Sequence, residues 1–242
     1  MLSSVCALAL GLALNASAPQ DRTAPLPPDR PFHDLLPNLG RDIRALPSEE
    51  AALIAGIGVA AAFVVHPADD NLLDWSEGLE DSGYSALGSW IGDGWTQGGA
   101  AVATYAIGVA TKNATATHVG SDLVRAQVLN GLATRGLKIF VDRKRPSGGG
   151  HSLPSGHSSA TFATASVLGS HFGWKVGAPA YAVGAFVSWA RVRDGHHWLT
   201  DVVVGAAIGT IAGRAVARTH GTRWTVVPAV SASSTAVFIV RK

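Results

Sequence analysis

Cysteine is almost missing from this 242-residue chain, since Cys6 is its only one. A disulfide framework is excluded, and removal of the N-terminal segment would leave a cysteine-free protein. Charge is scarce too. Only 15% of residues are charged, and 19 Lys and Arg against 17 Asp and Glu leave a net +2, so no nucleic-acid partner is expected. There is no fixed-period repeat and no Gly-rich nucleotide fingerprint. Apolar runs of bilayer length are also lacking. The uninterrupted helical ones measure about 13 to 17 residues, where a bilayer core asks for roughly 20.

What is abundant is small and apolar: 47% of residues are hydrophobic and 28 are Gly. The length suits one domain with a substantial core. Residues 2–14 form an apolar run followed by Asn15-Ala16-Ser17-Ala18, so residues 1–18 read as a secretory signal, or else as an uncleaved hydrophobic segment. No Lys or Arg precedes the run, and Pro19 follows the Ala-x-Ala triplet. Residues 19–47 hold seven of the twelve prolines and read as an extended linker with little regular structure. Ser48-Glu49-Glu50 then starts a helix that stops at His66-Pro67. Residues 68–95 are acidic without Lys or Arg. Their ligand-like spacings do not recur, so short polar elements at a surface are expected.

Five further helices are expected near 98–111, 117–141, 157–172, 176–192 and 198–217. The fold class is therefore all-α, a bundle of about six core helices, with the domain over 48–222 and its catalytic core at 98–218. Residues 223–242 are a tail of β-branched runs around Ser231–Thr235 and read as a short hairpin. Orientation is drawn two ways. A cleaved signal starts the chain outside, whereas the basic loops (19–50, Lys112, Lys175 and the tail) would hold the N-terminus inside if all six helices span. The short runs favour an exported, membrane-associated protein of the periplasm or cell envelope. An integral arrangement with the active site on the non-cytoplasmic side is the alternative.

Three polar groups stand out between 137 and 201. Lys138 and Arg145 are seven apart and share a helical face, although with Arg143 and Lys144 beside them they also read as a basic helix end. Pro154-Ser155-Gly156-His157 puts an N-cap and a glycine before a helix whose free amides can bind an anion, with His157 at its mouth. His197 and Asp201 are i and i+4, so the carboxylate can fix one imidazole tautomer and raise the basicity of the other nitrogen. Four residues after His196 stands uncharged Thr200, which selects His197. Arg191, ending the preceding helix, is a natural phosphate clamp.

Order and spacing resemble the type 2 phosphatidic acid phosphatase and vanadium haloperoxidase superfamily. Its lysine, six residues and Arg-Pro match Lys138, Arg145 and Pro146. Its Pro-Ser-Gly-His matches Pro154 to His157, and its arginine, five residues, histidine, three residues and aspartate match Arg191, His197 and Asp201. Ala190 stands where the family often has serine, which removes one hydroxyl near the phosphate. The resemblance covers about 98–218. It implies a phosphatase in which His197 is the nucleophile oriented by Asp201, and His157 is first the acid and then the base. Lys138, Arg145, Arg191 and the amides around Ser155 and Gly156 would hold the phosphoryl oxygens. Three cations take the place of a metal pair, so no metal or other cofactor is implied. The substrate expected is a phosphorylated lipid, as a monoester or pyrophosphate. The alternatives are a soluble non-specific acid phosphatase acting on small phosphate esters, a vanadate-dependent haloperoxidase, and a non-catalytic anion-binding protein.

Overall fold

Side-chain caps set where the helices begin. In the computed structural model, which describes residues 34–72, 83–217, 224–231 and 234–241, helix α1 spans Leu35–Ala45 and α2 spans Glu49–Val65. Ser48 Oγ accepts from Ala51 N at 3.1 Å, and Glu49 and Glu50 fill the first turn, where carboxylates suit the exposed amides. Helices α3 (Tyr84–Gly92), α4 (Gly94–Ala110) and α5 (Ala114–Val141) follow, then α6 (Gly156–Phe172), α7 (Trp174–Arg193) and α8 (Leu199–Ala217). Asp93 caps α4 by accepting from Trp95 N and Thr96 N at 2.8 and 3.2 Å. Asn113 caps α5 from Ala116 N at 3.0 Å. These caps carry both helices a few residues further N-terminal than the apolar pattern alone predicts.

The fold is the expected helical one, with the six anticipated helices present and two more added. The signal at 1–18 and the first part of the linker lie outside the described residues. The rest of the linker is not extended: α1 occupies it. Pro37 falls in the first turn of α1, where its missing N–H leaves no bond unmade. Asp42 of α1 is fully buried and meets the Arg125 guanidinium of α5, which also meets Asp122. A buried guanidinium demands such partners, and this pairing docks α1 on the bundle. Asp122 in turn lies 2.8 Å from His171 Nε2 on α6.

The core lies between α4, α5, α6 and α8, where Ala101, Val119, Leu123, Ala126, Leu129, Val167, Ala212 and Val216 cluster. Helices α6 and α8 share the most extensive contact. Gly205, Gly209 and Gly213, one turn apart on α8, let its backbone lie directly on α6. The C-terminal hairpin is present, with β1 (Trp224–Ser231) antiparallel to β2 (Ser234–Arg241) and Ser231 opposite Ser234 at its turn.

Two helices among the described residues are long and apolar enough to cross a membrane: Glu49–Leu72, with 24 residues, and Leu199–Ala217. The first is longer than the sequence suggests. α2 itself ends at Val65 with His66 as its C-cap, as expected, but the chain stays helical through a 3-10 turn, His66–Ala68, with Pro67 near its start, and on to Leu72, where proline removes no needed donor. Of the residues in α2 only Gly58 and Ala62 are buried, while Ile57, Phe63 and Val64 are at least 60% exposed. Trp95, Phe140 and Trp174 are likewise exposed. An apolar surface of this extent fits a lipid environment better than water.

Candidate active site

One end of the bundle gathers the ends of α5 and α7, the starts of α6 and α8, and the loop 142–155. The loop is held in place by α5. Asp142 takes a left-handed conformation, φ 38°, and ends the helix. Lys138 Nζ donates to the carbonyls of His151 at 2.6 Å and Ser152 at 3.3 Å, which leaves one of its three protons for another acceptor. Ser152 N donates to Arg143 O at 2.8 Å.

The His197–Asp201 pair forms as the spacing predicts. His197 Nδ1 lies 3.5 Å from Asp201 Oδ2, and both side chains are buried. His197 does not belong to α8. It sits in the turn before it, where its amide and that of His196 donate to Arg191 O at 3.2 and 3.1 Å. This double bond to one carbonyl ties the end of α7 to the histidine. Asp201 is heavily engaged: Ser152 Oγ donates to its Oδ2, Trp198 N reaches the same oxygen at 3.0 Å, and Arg143 Nη1 reaches Oδ1 at 2.8 Å. Ser152 Oγ is also 3.4 Å from His197 Nδ1.

Ser155 differs from expectation in one respect. Its Oγ caps α6 by accepting from Ser158 N at 3.4 Å, as predicted, but its own amide donates to Asp201 O at 3.0 Å. That amide is spent on joining α6 to α8. The amides of Gly156 and His157, the first two of α6, have no intrahelical acceptor, and a Cβ built on Gly156 would meet nothing within 4 Å. Space is therefore open above the helix start. On the far side of His157, α3 closes in. A Cβ on Gly92 would lie 3.0 Å from His157 Cβ and 2.4 Å from Val187 Cγ1, so only glycine permits that approach.

The three expected cations converge, each close enough to act on a neighbour's charge. Burial and then the Arg145 charge bring Lys138 down to about 8, so it is still mostly cationic at neutral pH. Arg191 is buried, and Arg145 acts on it. Its Nη1 donates to Ser89 Oγ of α3. Ala190 is fully buried beside Gly88 of the same helix, so a hydroxyl reaches Arg191 from α3 although Ala190 supplies none. The Nε atoms of Arg145 and Arg191 are buried with no hydrogen-bond partner among the described residues. A buried Arg191 and a half-buried Arg145, each with a buried Nε donor to spare, are a pair suited to an anion.

Both histidines are held neutral. Burial, followed by the Arg191 and His197 charges, pushes His157 down to about 4. His197 is lowered by burial most of all, with Lys138 and Arg191 adding to the effect and Asp201 opposing it. Neither lies in the two apolar helices. His196 is turned toward a different partner, its Nδ1 3.0 Å from Asp194 O. Among the described residues no three His, Cys, Asp or Glu side chains cluster as a metal-binding group.

Arg143, Ser152, Asp69, Thr200 and Ser89 also join the site and were not picked out by sequence. Arg143 reads as one more cation at a helix end, and Asp69 as one acid in a surface run. Asp69 is in fact buried and bonds to Thr200 from 131 residues away, a distance no local pattern spans.

The family model described as the PAP2 superfamily matches residues 101–225, which takes in every residue of the pocket except Asp69 and Ser89. The chain belongs to the PAP2 superfamily. A curated relative, the lipid A 1-phosphatase of Porphyromonas gingivalis, is 34% identical over 98 residues, 38% of this chain and 22% of that protein. The chain thus matches about a fifth of that relative's length. Among solved structures, the transmembrane PAP2-type phosphatidylglycerolphosphate phosphatase from Bacillus subtilis superposes with a TM-score of 0.58. The match covers 71% of this chain and 96% of that one at 20% identity, a likeness of fold. Within the PAP2 frame, the candidate pocket lies at the helix ends while the exposed apolar face of α2 runs away from it.

Proposed function

We propose that this PAP2 protein is a metal-independent phosphatase that hydrolyses lipid phosphomonoesters or pyrophosphates through a phosphohistidine. The observation that carries the reading is the convergence of Lys138, Arg145 and Arg191, two of them with idle buried donors, on the His157 and His197–Asp201 side chains. The phosphoryl group sits among the three cations and the Gly156 and His157 amides, which neutralise charge growing on its non-bridging oxygens. Neutral His197, with Nδ1–H toward Asp201, attacks phosphorus through Nε2, and the bond to the leaving oxygen breaks. Asp201 stabilises the imidazolium that results.

His157 delivers a proton to the leaving oxygen. With no anion beside it His157 is neutral, because burial and then the Arg191 charge disfavour its protonation. A bound phosphate dianion reverses that field and lets it take up a proton. Having given the proton away, His157 takes one from water, the water oxygen bonds to phosphorus, and the bond to Nε2 of His197 breaks. This role predicts a split by leaving group. His157→Ala should slow release of an alkanol by about 10²- to 10⁴-fold, and of p-nitrophenol far less. With p-nitrophenyl phosphate the variant should accumulate phosphoenzyme, because the second step lacks its base. Equal losses on both esters would remove His157 from proton transfer.

The lipid assignment rests on the exposed apolar surface of α2, with Trp95, Phe140 and Trp174, which would place the pocket at a membrane surface. The basic segments (19–50, Lys112, Lys175 and the tail) favour an active site on the non-cytoplasmic side, in keeping with export to the cell envelope. Detergent-extracted protein should release phosphate from phosphatidate or a polyprenyl pyrophosphate with EDTA present, and vanadate should inhibit it. Activity that vanishes on chelation would overturn the mechanism. Release of the protein by osmotic shock without detergent would overturn the membrane arrangement.

A further inference from the structure

We infer that Asp69 and Arg143 are positioning residues: they form, with Asp201, a carboxylate–guanidinium–carboxylate bridge that holds His197 in its reactive setting. The inference rests on the phosphatase reading above. Arg143 Nη1 donates to Asp201 Oδ1 and Nη2 to Asp69 Oδ2, both at 2.8 Å. Asp69 is fully subscribed. It accepts from Thr200 N at 3.0 Å and Thr200 Oγ1 at 2.6 Å, and His66 Nδ1 is 3.1 Å away. The end of the long apolar helix therefore grips the first turn of α8 twice, directly at residue 200 and through Arg143 at residue 201.

The geometry selects arginine. Only a planar fork reaches two carboxylates at once along diverging donors. The Trp198 ring lies 5.3 Å from the guanidinium carbon, and Trp198 Nε1 donates to Lys144 O at 2.8 Å, so the fork is walled on that side. Asp201 already receives Ser152 Oγ and Trp198 N on Oδ2, the oxygen nearest His197. Arg143 takes the other oxygen and thereby fixes the rotation of the carboxylate. Charges alternate outward from the nucleophile: Asp201 negative, Arg143 positive, Asp69 negative.

This alternation yields a test that a simple staple would not pass. His197 is faced by Asp201 from α8, Lys138 from α5, Arg191 from α7 and His157 from α6, and those groups stay constant across the variants. Removing the cation in Arg143→Gln leaves His197 in a more negative field. Its protonation then becomes easier, so the acid limb of kcat/KM moves to higher pH. Removing the anion in Asp69→Asn does the opposite, and the limb moves to lower pH. Each shift should be about half a unit to one unit. The double variant should return close to the wild-type limb. Looser placement of Asp201 should also lower kcat about 10- to 100-fold in Arg143→Gln, with KM little changed.

The limb position does not depend on the fraction of protein that folds, so partly misfolded preparations still report. If a variant has no turnover, the ¹³Cε1-histidine NMR titration of His197, assigned with His197→Gln, reads the same ionisation. Opposite shifts that cancel in the double variant establish the bridge. Limbs that stay put or move the same way overturn it. The phosphatase reading fails separately, through a His197→Ala variant that retains full turnover.

Discussion

His197→Ala should lose about 10⁴- to 10⁶-fold in kcat on every phosphate ester that the wild type accepts. Two losses combine. In the proposed mechanism the atom that bonds to phosphorus is gone, and neither neighbouring histidine has its pairing with Asp201: His157 packs beside α3, and His196 Nδ1 faces Asp194 O. What survives is electrostatic stabilisation by Lys138, Arg145 and Arg191, which can still bind a phosphate and favour attack by water. KM or vanadate affinity should accordingly change much less than kcat. Trapping provides the second readout. Wild-type protein quenched during turnover of a ³²P-labelled substrate should carry an acid-labile phosphoryl group, and the variant none. A variant that keeps a tenth of the activity, or still forms the phosphoenzyme, would move the nucleophile elsewhere.

The pH dependence follows from the same burial. In the proposed mechanism His197 must be neutral to attack, and burial, with Lys138 and Arg191, lowers its pKa below the ordinary histidine value. Activity should therefore be lost only as pH falls through this lowered value. A histidine in water would already be half protonated at about 6.5.

Much of this site was legible because its chemistry is local along the chain. A carboxylate four residues after a histidine, a serine before a glycine at a helix start, and two cations two turns apart are one-helix patterns. The fold brings those segments together, but each is already complete in sequence. The parts that sequence does not expose are those whose partners lie far away. Asp69 looks like any acid in an acid-rich run until α8 is laid against it. Ser152 looks like turn chemistry until its hydroxyl meets Asp201. Arg143 and Arg145 are indistinguishable as charges, yet one faces two carboxylates and the other keeps a buried Nε unpartnered. The fold shows the same division. Periodicity and caps locate the six main helices, whereas α1 depends on Arg125 needing a buried partner, and the helical continuation beyond α2 to Leu72 depends on a proline tolerated within a 3-10 turn.

Gly209→Ala should unfold the protein more readily than any other single-methyl change in α8. A Cβ there would stand 2.0 Å from Ser159 O and 2.9 Å from Ala163 N. These are backbone atoms of α6, so no side chain can rotate out of the way, and the two helices must separate. Overpacking of this kind costs about 3 kcal/mol. The cost reaches the chemistry, since Ser159 lies one turn below the Gly156 and His157 amides, and a Cβ on the next glycine up, Gly205, would lie 2.6 Å from Ser155 O. Moving α6 outward would pull those amides from the pocket and break the bond from Ser155 N to Asp201 O. Activity should fall along with the thermal midpoint measured in detergent. Gly131→Ala on α5 is the counterpart, because nothing lies within 4 Å of its Cβ position. There the gain in helix propensity should stabilise by about 0.5 to 1 kcal/mol and leave turnover intact. A wild-type midpoint for Gly209→Ala would mean that α6 and α8 do not meet backbone to backbone, and the support for the anion pocket would need to come from another contact.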